Sequence, residues 1–118
     1  MKTVNRHSKK YLVKPPQKML DQLSETIVSL VHPKRIILFG SGARGKMGPH
    51  SDLDLLIIMP DGIHRRQTTD KLYFGLWDID YAMDIVVVTE KDVAQYGANP
   101  YMVIHTALKE GRELYNAA

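Results

Sequence analysis

Cysteine is absent from the 118 residues of the sequence. This absence excludes disulfide bonds, thiolate nucleophiles and cysteine-ligated zinc. It is also consistent with a reducing compartment, so we expect a cytoplasmic protein. Long apolar runs are missing as well, since the longest are Ile36–Phe39 and Leu55–Met59, and runs this short exclude a membrane-spanning helix. The N-terminus is basic but carries no apolar segment of the signal-peptide type, so we predict no secretory signal.

Acidic residues are missing from the first 20 positions. Six basic residues occur there: Lys2, Arg6, Lys9, Lys10, Lys14 and Lys18. Residues 21–118 hold ten basic and thirteen acidic residues, so the formal net charge of +3 hides a basic segment and an acidic body. We predict a basic arm over residues 1–16, ending at Pro15-Pro16, and a single domain over residues 17–118. The arm could contact nucleic acid or an acidic partner through counterion release, but we favour a solvated tail.

Hydrophobic residues make up 44% and charged residues 25% of the chain, a composition typical of one globular domain. Leu20, Leu23 and Ile27 recur at helical spacing and predict a helix that ends before Pro33. The segment Arg35–Phe39, which is apolar from Ile36 onward, then predicts a short buried strand.

Two further strands and another helix follow. Asp52–Met59 has the pattern of a strand, and its link to the first strand is too short for a parallel crossover, so we expect an antiparallel pair. Residues 63–77 are predicted to form a helix. The β-branched segment Met83–Val88 predicts a third strand. We expect this strand to be parallel to the second, because the connection is long enough for a right-handed helical crossover.

The C-terminal part carries helix signals. Thr89 and Asp92 have the spacing of a capping box that starts a short helix. Asn99-Pro100 predicts the start of the last helix and Gly111 its end. The sequence therefore predicts a mixed α/β (α+β) domain, in which a small mixed sheet of about three to four strands is flanked by helices.

A glycine-rich turn with the sequence GSGARG follows the first strand. Glycine lets the backbone approach a ligand closely, and consecutive amides that lead into a helical turn bind anions. Gly40-Ser41 is therefore a candidate phosphate-binding turn, with the Ser41 hydroxyl as a further donor. The turn lacks the Gly-Lys-Ser/Thr ending of a Walker A loop, and by itself an ordinary turn is the better interpretation.

Asp52 and Asp54 project from the same face of the second strand, because side chains alternate along a strand. Two carboxylates about 4 Å apart repel each other by about 4 kcal/mol at an effective dielectric constant of about 20. A divalent cation with oxygen ligands, Mg²⁺ or Mn²⁺, would relieve this repulsion. For an isolated Asp-x-Asp pair, one loop-capping and one solvated carboxylate is the better interpretation.

A third carboxylate changes that balance. Asp84 stands at the start of the third strand, which the crossover places beside the second. Three carboxylates around one point can hold two divalent cations, as in phosphoryl-transfer sites. Asp78 and Asp80 are alternatives for the third position, but they precede the strand, so we favour Asp84.

The combined pattern of GSGARG, SDLDLLII and MDIVVVT resembles the signature of the DNA polymerase beta-like nucleotidyltransferase superfamily. More narrowly, it is similar to the minimal nucleotidyltransferases, the MNT (MntA-like) antitoxins, which are often paired with HEPN-domain proteins in toxin–antitoxin modules. The likeness runs from about residue 17 to the C-terminus. It implies the nucleotidyltransferase fold and the transfer of a nucleoside monophosphate.

The resemblance also implies roles for individual residues. Gly40-Ser41 matches the turn that binds the nucleotide phosphates, and Asp52 and Asp54 match the pair that ligates both metal ions. Asp84 matches the third carboxylate, which ligates the catalytic metal and helps to deprotonate the acceptor hydroxyl. Arg44 matches the arginine of the GSxARG form of the motif, either as a phosphate contact or in a structural ion pair.

From this resemblance we expect transfer of AMP from ATP to a hydroxyl of a HEPN-domain protein, with two Mg²⁺ ions. Larger relatives carry further domains for the acceptor, so we expect a partner to present it, and pairing with a second copy stays open. One alternative is a small-molecule nucleotidyltransferase. The other is a non-catalytic module that neutralises a HEPN protein by contact, through an apolar surface made of Tyr101, Ile104, Leu108, Leu114 and Tyr115.

Overall fold

The computed structural model describes residues 14–48 and 51–118. The helices are α1 (Gln17–Val31), α2 (Gly40–Ala43), α3 (Arg65–Gly75), α4 (Glu90–Tyr96) and α5 (Val103–Glu110). The strands are β1 (Arg35–Phe39), β2 (Leu53–Met59), β3 (Met83–Thr89) and β4 (Arg112–Asn116). In this part of the chain no helix is both long and apolar enough to cross a membrane. Residues 1–13, which form most of the predicted basic arm, lie outside the described residues.

The four strands form one mixed sheet in the order β3-β2-β1-β4. β1 is antiparallel to β2, and β2 is parallel to β3, with α3 in the crossover. Both arrangements confirm the predictions made from the lengths of the connections. The predicted fold class, a small mixed sheet flanked by helices, is confirmed as well.

The two layers of the core meet opposite faces of the sheet. On one face, Leu55 and Ile57 of β2 pack against α1 and α3. On the other face, Leu56 and Ile58 pack against α4 and α5. Burying each such side chain contributes about 1.5–3 kcal/mol. Because β2 is apolar on both faces, it occupies one of the two inner positions of the sheet. Near the start of the strand Asp54 interrupts this pattern, on the face that α4 and α5 cover.

The start of the last helix differs from the sequence prediction. The Asn99 side chain accepts a hydrogen bond from the Tyr101 N–H at 3.0 Å, which closes a turn instead of capping a helix. α5 begins only at Val103. The predicted start at Asn99-Pro100 is therefore wrong, because a local side-chain hydrogen bond competes with helix formation. The predicted end at Gly111 is confirmed.

The sequence analysis did not assign the strand β4, which pairs antiparallel with β1. Its sequence, RELYN, is short and begins with two charged residues, so it carries little of the alternation that predicts a strand. The strand is held by its neighbour, where Arg35 Nε donates to Glu113 Oε2 at 2.6 Å. It completes the edge of the sheet opposite β3.

Candidate active site

The predicted carboxylates come from the same end of two adjacent strands. Asp54 of β2 and Asp84 of β3 are partners in the parallel register. Their side chains therefore leave the same face of the sheet, from strands about 4.8 Å apart. Asp52 lies two positions before Asp54, and the Leu53 N–H donates to the Ala82 carbonyl at 2.8 Å, which extends the pairing of β2 and β3 to that point. The topology thus brings all three aspartates to one corner of the sheet.

The charges at this corner act on one another. Asp54 is half-buried, whereas Asp52 and Asp84 are exposed. Burial is the largest cause that raises the pKa of Asp54 above its ordinary value, followed by the negative charge of Asp84 and then that of Asp52, while Arg44 opposes the rise. The corner therefore carries excess negative charge, which Arg44 offsets only in part.

Gly40 brings the GSGARG turn directly against Asp54. Its φ angle is +71°, in the left-handed region that favours glycine. A Cβ atom at this position would lie 3.2 Å from Asp54 Cγ and closer still to the carboxylate oxygen Oδ2. The proximity follows from the sheet, because the preceding residue Phe39 is the register partner of Asp54 in the β1–β2 pair. Any larger residue at this position would displace the carboxylate or the turn.

The glycine-rich turn forms a single turn of helix, which local backbone hydrogen bonds hold together. The Arg44 N–H donates to the Gly40 carbonyl at 3.3 Å, and the Lys46 N–H donates to the Ser41 carbonyl at 2.9 Å. Met47, which is only 4% exposed, packs into the core and fixes the end of the turn. Amides in the first turn of a helix have no acceptor within the helix, so they are suitable donors for an anionic ligand.

The carboxylates have the donor chemistry of a site for a hard divalent cation. The raised pKa of Asp54 shows that the protein alone does not neutralise its charge. Within residues 14–48 and 51–118, no three side chains of His, Cys, Asp or Glu are arranged closely enough to hold a metal ion. The chemistry of the donors fits the predicted metal, and the ligand set Asp52, Asp54 and Asp84 stays a prediction.

Asp78 and Asp80 are the alternatives for the third carboxylate. Both are exposed and lie between α3 and β3. Neither is among the charges that raise the pKa of Asp54, whereas Asp84 is. The electrostatics of the corner therefore favour Asp84.

Tyr73 lies beside the site, and the sequence analysis missed it. From α3, its hydroxyl oxygen accepts a hydrogen bond from the Ile85 N–H at 2.8 Å. Because β3 is an edge strand and Ile85 directly follows Asp84, this bond fixes the backbone next to that carboxylate. No sequence pattern links positions 73 and 85, since the contact depends on how α3 packs against the sheet.

The apolar residues considered as a contact surface lie mostly in the core. Ile104 is 4% exposed, and Leu108 packs against the same cluster. Leu114 and Tyr115 pack against the cluster on the opposite face of the sheet. Tyr101, at 94% exposed, stands on the surface. Most of this set therefore completes the core of the domain.

The fold and the corner together define a class of protein: a small α+β domain in which a glycine-rich turn lies beside an acidic corner of the sheet. Residues 20–115 match the sequence profile of the family described as the nucleotidyltransferase domain. The match covers most of the chain, which therefore belongs to this family.

Curated relatives show the same likeness over part of their length. A bifunctional uridylyltransferase/uridylyl-removing enzyme of a Psychrobacter species is 31% identical over 97 residues, which are 80% of this chain and 10% of that protein. The enzyme of the same name from Pseudomonas putida is 32% identical over 81 residues, which are 67% of this chain and 9% of that protein. The chain thus spans about a tenth of the length of these relatives.

Solved structures share the fold. A Sulfolobus solfataricus protein described as a candidate nucleotidyltransferase superposes with a TM-score of 0.57, at 17% identity, over 85% of this chain and 79% of that one. A chain from the complex of a tri-AMPylated Shewanella oneidensis HEPN toxin with its MNT antitoxin gives a TM-score of 0.51 at 17% identity, over 86% of this chain and 72% of that one. At such low identity the likeness establishes the fold alone.

Proposed function

We propose that this chain is a metal-dependent nucleotidyltransferase that moves AMP from ATP to a hydroxyl group of a partner protein. The observation that carries the proposal is the corner where Asp54 pairs in register with Asp84 and lies against Gly40 of the turn. The proposed partner is a HEPN-domain toxin, and the chain would act as its antitoxin.

In this mechanism Asp52, Asp54 and Asp84 would hold two Mg²⁺ ions, which when bound neutralise the triphosphate and lower the pKa of the acceptor hydroxyl. The amides of Gly40-Ser41 bind phosphate oxygens, and Asp84 accepts the proton of the acceptor hydroxyl. The acceptor oxygen then forms a bond to the α-phosphorus, the bond from the α-phosphorus to the bridging oxygen breaks, and pyrophosphate leaves. Most of the rate enhancement comes from positioning and charge stabilisation.

The choice of donor and acceptor is supported by the named relatives. A structure of similar fold contains a tri-AMPylated HEPN toxin together with an MNT antitoxin, which supports AMP as the transferred group and a HEPN protein as the acceptor. The curated relatives are named as uridylyltransferases, which makes UMP from UTP the competing transfer. The contacts proposed at the site involve phosphates and carboxylates and none of them reads a base, so the donor has to be measured.

A transfer assay tests the proposal. The protein is incubated with Mg²⁺, labelled ATP or UTP, and the product of the neighbouring gene as the proposed HEPN partner. The label transferred to that partner is then measured. Asp54→Asn keeps the size of the side chain but removes a proposed metal ligand. We expect transfer to fall at least about 100-fold, because loss of a group that only supports a metal ligand already costs about 10- to 100-fold. Asp78→Asn is the matched control, because it removes an exposed carboxylate near β3 that does not act on Asp54.

The outcome separates catalysis from simple binding. Equal transfer by Asp54→Asn and Asp78→Asn would contradict the proposed mechanism. If Asp54→Asn still suppressed the toxicity of the partner and the parent protein transferred no label, the chain would neutralise its partner by contact alone. Calorimetry with ATP and Mg²⁺ adds an independent measurement, since a non-catalytic module with an inactive pocket would give no metal-dependent heat.

A further inference from the structure

The side chain of Lys14 lies across the glycine-rich turn. A Cβ atom built on Gly45 would be 3.7 Å from both Cβ and Cε of Lys14 and 3.8 Å from its Cγ. The aliphatic stem therefore runs over Gly45, and the ammonium group lies one carbon–nitrogen bond beyond Cε. Gly45 lies just after the helical turn, and its N–H donates to the carbonyl of Gly42, a residue of that turn, at 3.3 Å.

Lys14 is held in this place by the residues that follow it. Pro15 is buried, although the residues on either side of it are exposed. The next helix, α1, starts at Gln17, whose side chain accepts a hydrogen bond from Arg112 at the start of β4. The segment is therefore fixed to the body of the domain immediately after Lys14, and the lysine is set over the turn from outside the GSGARG motif.

The ammonium group of Lys14 adds to the positive charge of the glycine-rich turn. Arg44 and Lys46 belong to the same turn, and both are exposed. Within residues 14–48 and 51–118, none of these three cations forms an ion pair. The acidic corner lies at the first residue of the same turn, where Gly40 touches Asp54. The turn therefore has cations around its second half and a carboxylate at its start.

We propose that Lys14 binds the β- and γ-phosphates of the nucleoside triphosphate and thereby selects triphosphates over monophosphates. The inference deepens the proposed function, since it names a residue that holds the leaving pyrophosphate at the same site. A flexible lysine suits this role because an ammonium group is a compact charge with three donors and a long stem. The α-phosphate, which takes part in the transfer, would lie at the acidic corner, where Asp52, Asp54 and Asp84 would hold the metal ions.

Binding of three ligands to the full chain tests the inference. The affinities for ATP, AMP and inorganic pyrophosphate are measured by calorimetry with Mg²⁺ for the parent and for Lys14→Met, which keeps most of the stem but removes the charge. We expect Lys14→Met to bind ATP and pyrophosphate about 10- to 100-fold more weakly, as for the loss of one hydrogen bond to a charged group. Its affinity for AMP should stay unchanged, and Lys14→Arg should recover most of the loss.

Lys18→Met is the matched control, because it removes the charge of another exposed lysine, in the first turn of α1. If Lys14→Met bound ATP and pyrophosphate as tightly as Lys18→Met did, or lost affinity for AMP to the same extent as for ATP, the inference would be wrong. Thermal unfolding of both variants shows whether either has lost its structure.

The two proposals fail in different ways. If the parent binds ATP and pyrophosphate through Lys14 but transfers no nucleotide, the proposed function is wrong and the phosphate site remains. If transfer occurs and the KM for ATP is the same for Lys14→Met and the parent, the phosphate site is wrong and the proposed function remains.

Discussion

Replacement of Gly40 with alanine separates the two properties that this glycine combines. The first is backbone conformation, because a residue with a side chain at φ +71° loses about 1–2 kcal/mol of stability. The second is space, because the new methyl group would lie 3.2 Å from Asp54 Cγ and closer to Oδ2. The Asp54 carboxylate must then rotate away from Gly40, although its backbone stays paired with that of Asp84.

Gly62→Ala is the matched control for the first property alone. Its φ angle is +91°, and no atom lies within 4 Å of the position that a Cβ would take. We therefore expect both variants to lose about 1–2 kcal/mol of unfolding free energy from the backbone. The unfolding free energy of Gly40→Ala should fall at least as much as that of Gly62→Ala, because its new methyl group also overlaps the side chain of Asp54.

Urea denaturation and the transfer assay measure the two effects separately. An unchanged m-value in urea would show that both variants unfold from the same compact state. At a temperature where both are fully folded, we expect Gly62→Ala to transfer nucleotide as the parent does, and Gly40→Ala to transfer at least about tenfold less, since small displacements at a reacting centre are costly. Equal transfer by the two variants would refute the link between the turn and the Asp54 carboxylate.

Two further predictions concern the edge strand and the pH dependence. Tyr73→Phe removes the acceptor of the Ile85 N–H, so we expect the free energy of unfolding to fall by about 0.5–1.5 kcal/mol. We also expect kcat to fall by more than KM changes. Tyr96→Phe is the control, and an equal effect of both substitutions would contradict a positioning role for Tyr73. The raised pKa of Asp54, which burial and the neighbouring carboxylates cause and Arg44 opposes, means that the folded state holds this proton more tightly than the unfolded state. The free energy of unfolding should therefore fall as the pH rises from 3.8, the ordinary pKa of the group, through the raised pKa of the folded state. In urea denaturation, Asp54→Asn should lack this part of the pH dependence. If the variant showed the same pH dependence as the parent, the prediction would be wrong.

The parts of the fold that follow from local patterns could be predicted from the sequence. The boundaries of β1 are those expected from its apolar run, and the parallel pairing of β3 follows from the length of its connection. The strand β4 escaped prediction because its five residues carry too little alternation, and its place is fixed by β1. The start of α5 at Val103 escaped because the Asn99 side chain serves equally well in a turn and at a helix start.

The same distinction applies to the site. The crossover rule predicts Asp84 beside Asp54, and the parallel register confirms it. Asp52 precedes β2, so the face that it shares with Asp54 stays a prediction from their spacing. The contacts of Tyr73 with Ile85 and of Lys14 with Gly45 could not be foreseen, because they join positions that are 12 and 31 residues apart through tertiary packing. Motif spacing therefore predicts the groups proposed for the chemistry, and the three-dimensional structure adds those that hold or supplement them.

The charge at Asp54 distinguishes a residue kept for function from one kept for folding. Its burial and its acidic neighbours disfavour the ionised form, so in the metal-free protein this carboxylate opposes folding at neutral pH. Asparagine has nearly the same size and no charge, and we therefore expect Asp54→Asn to match or exceed the parent in unfolding free energy at pH 7. Addition of Mg²⁺ should raise the melting temperature of the parent more than that of the variant, because ligand binding stabilises only the form that binds. A carboxylate that served the fold would show the reverse, with stability and transfer lost together in the variant and no difference in the response to Mg²⁺.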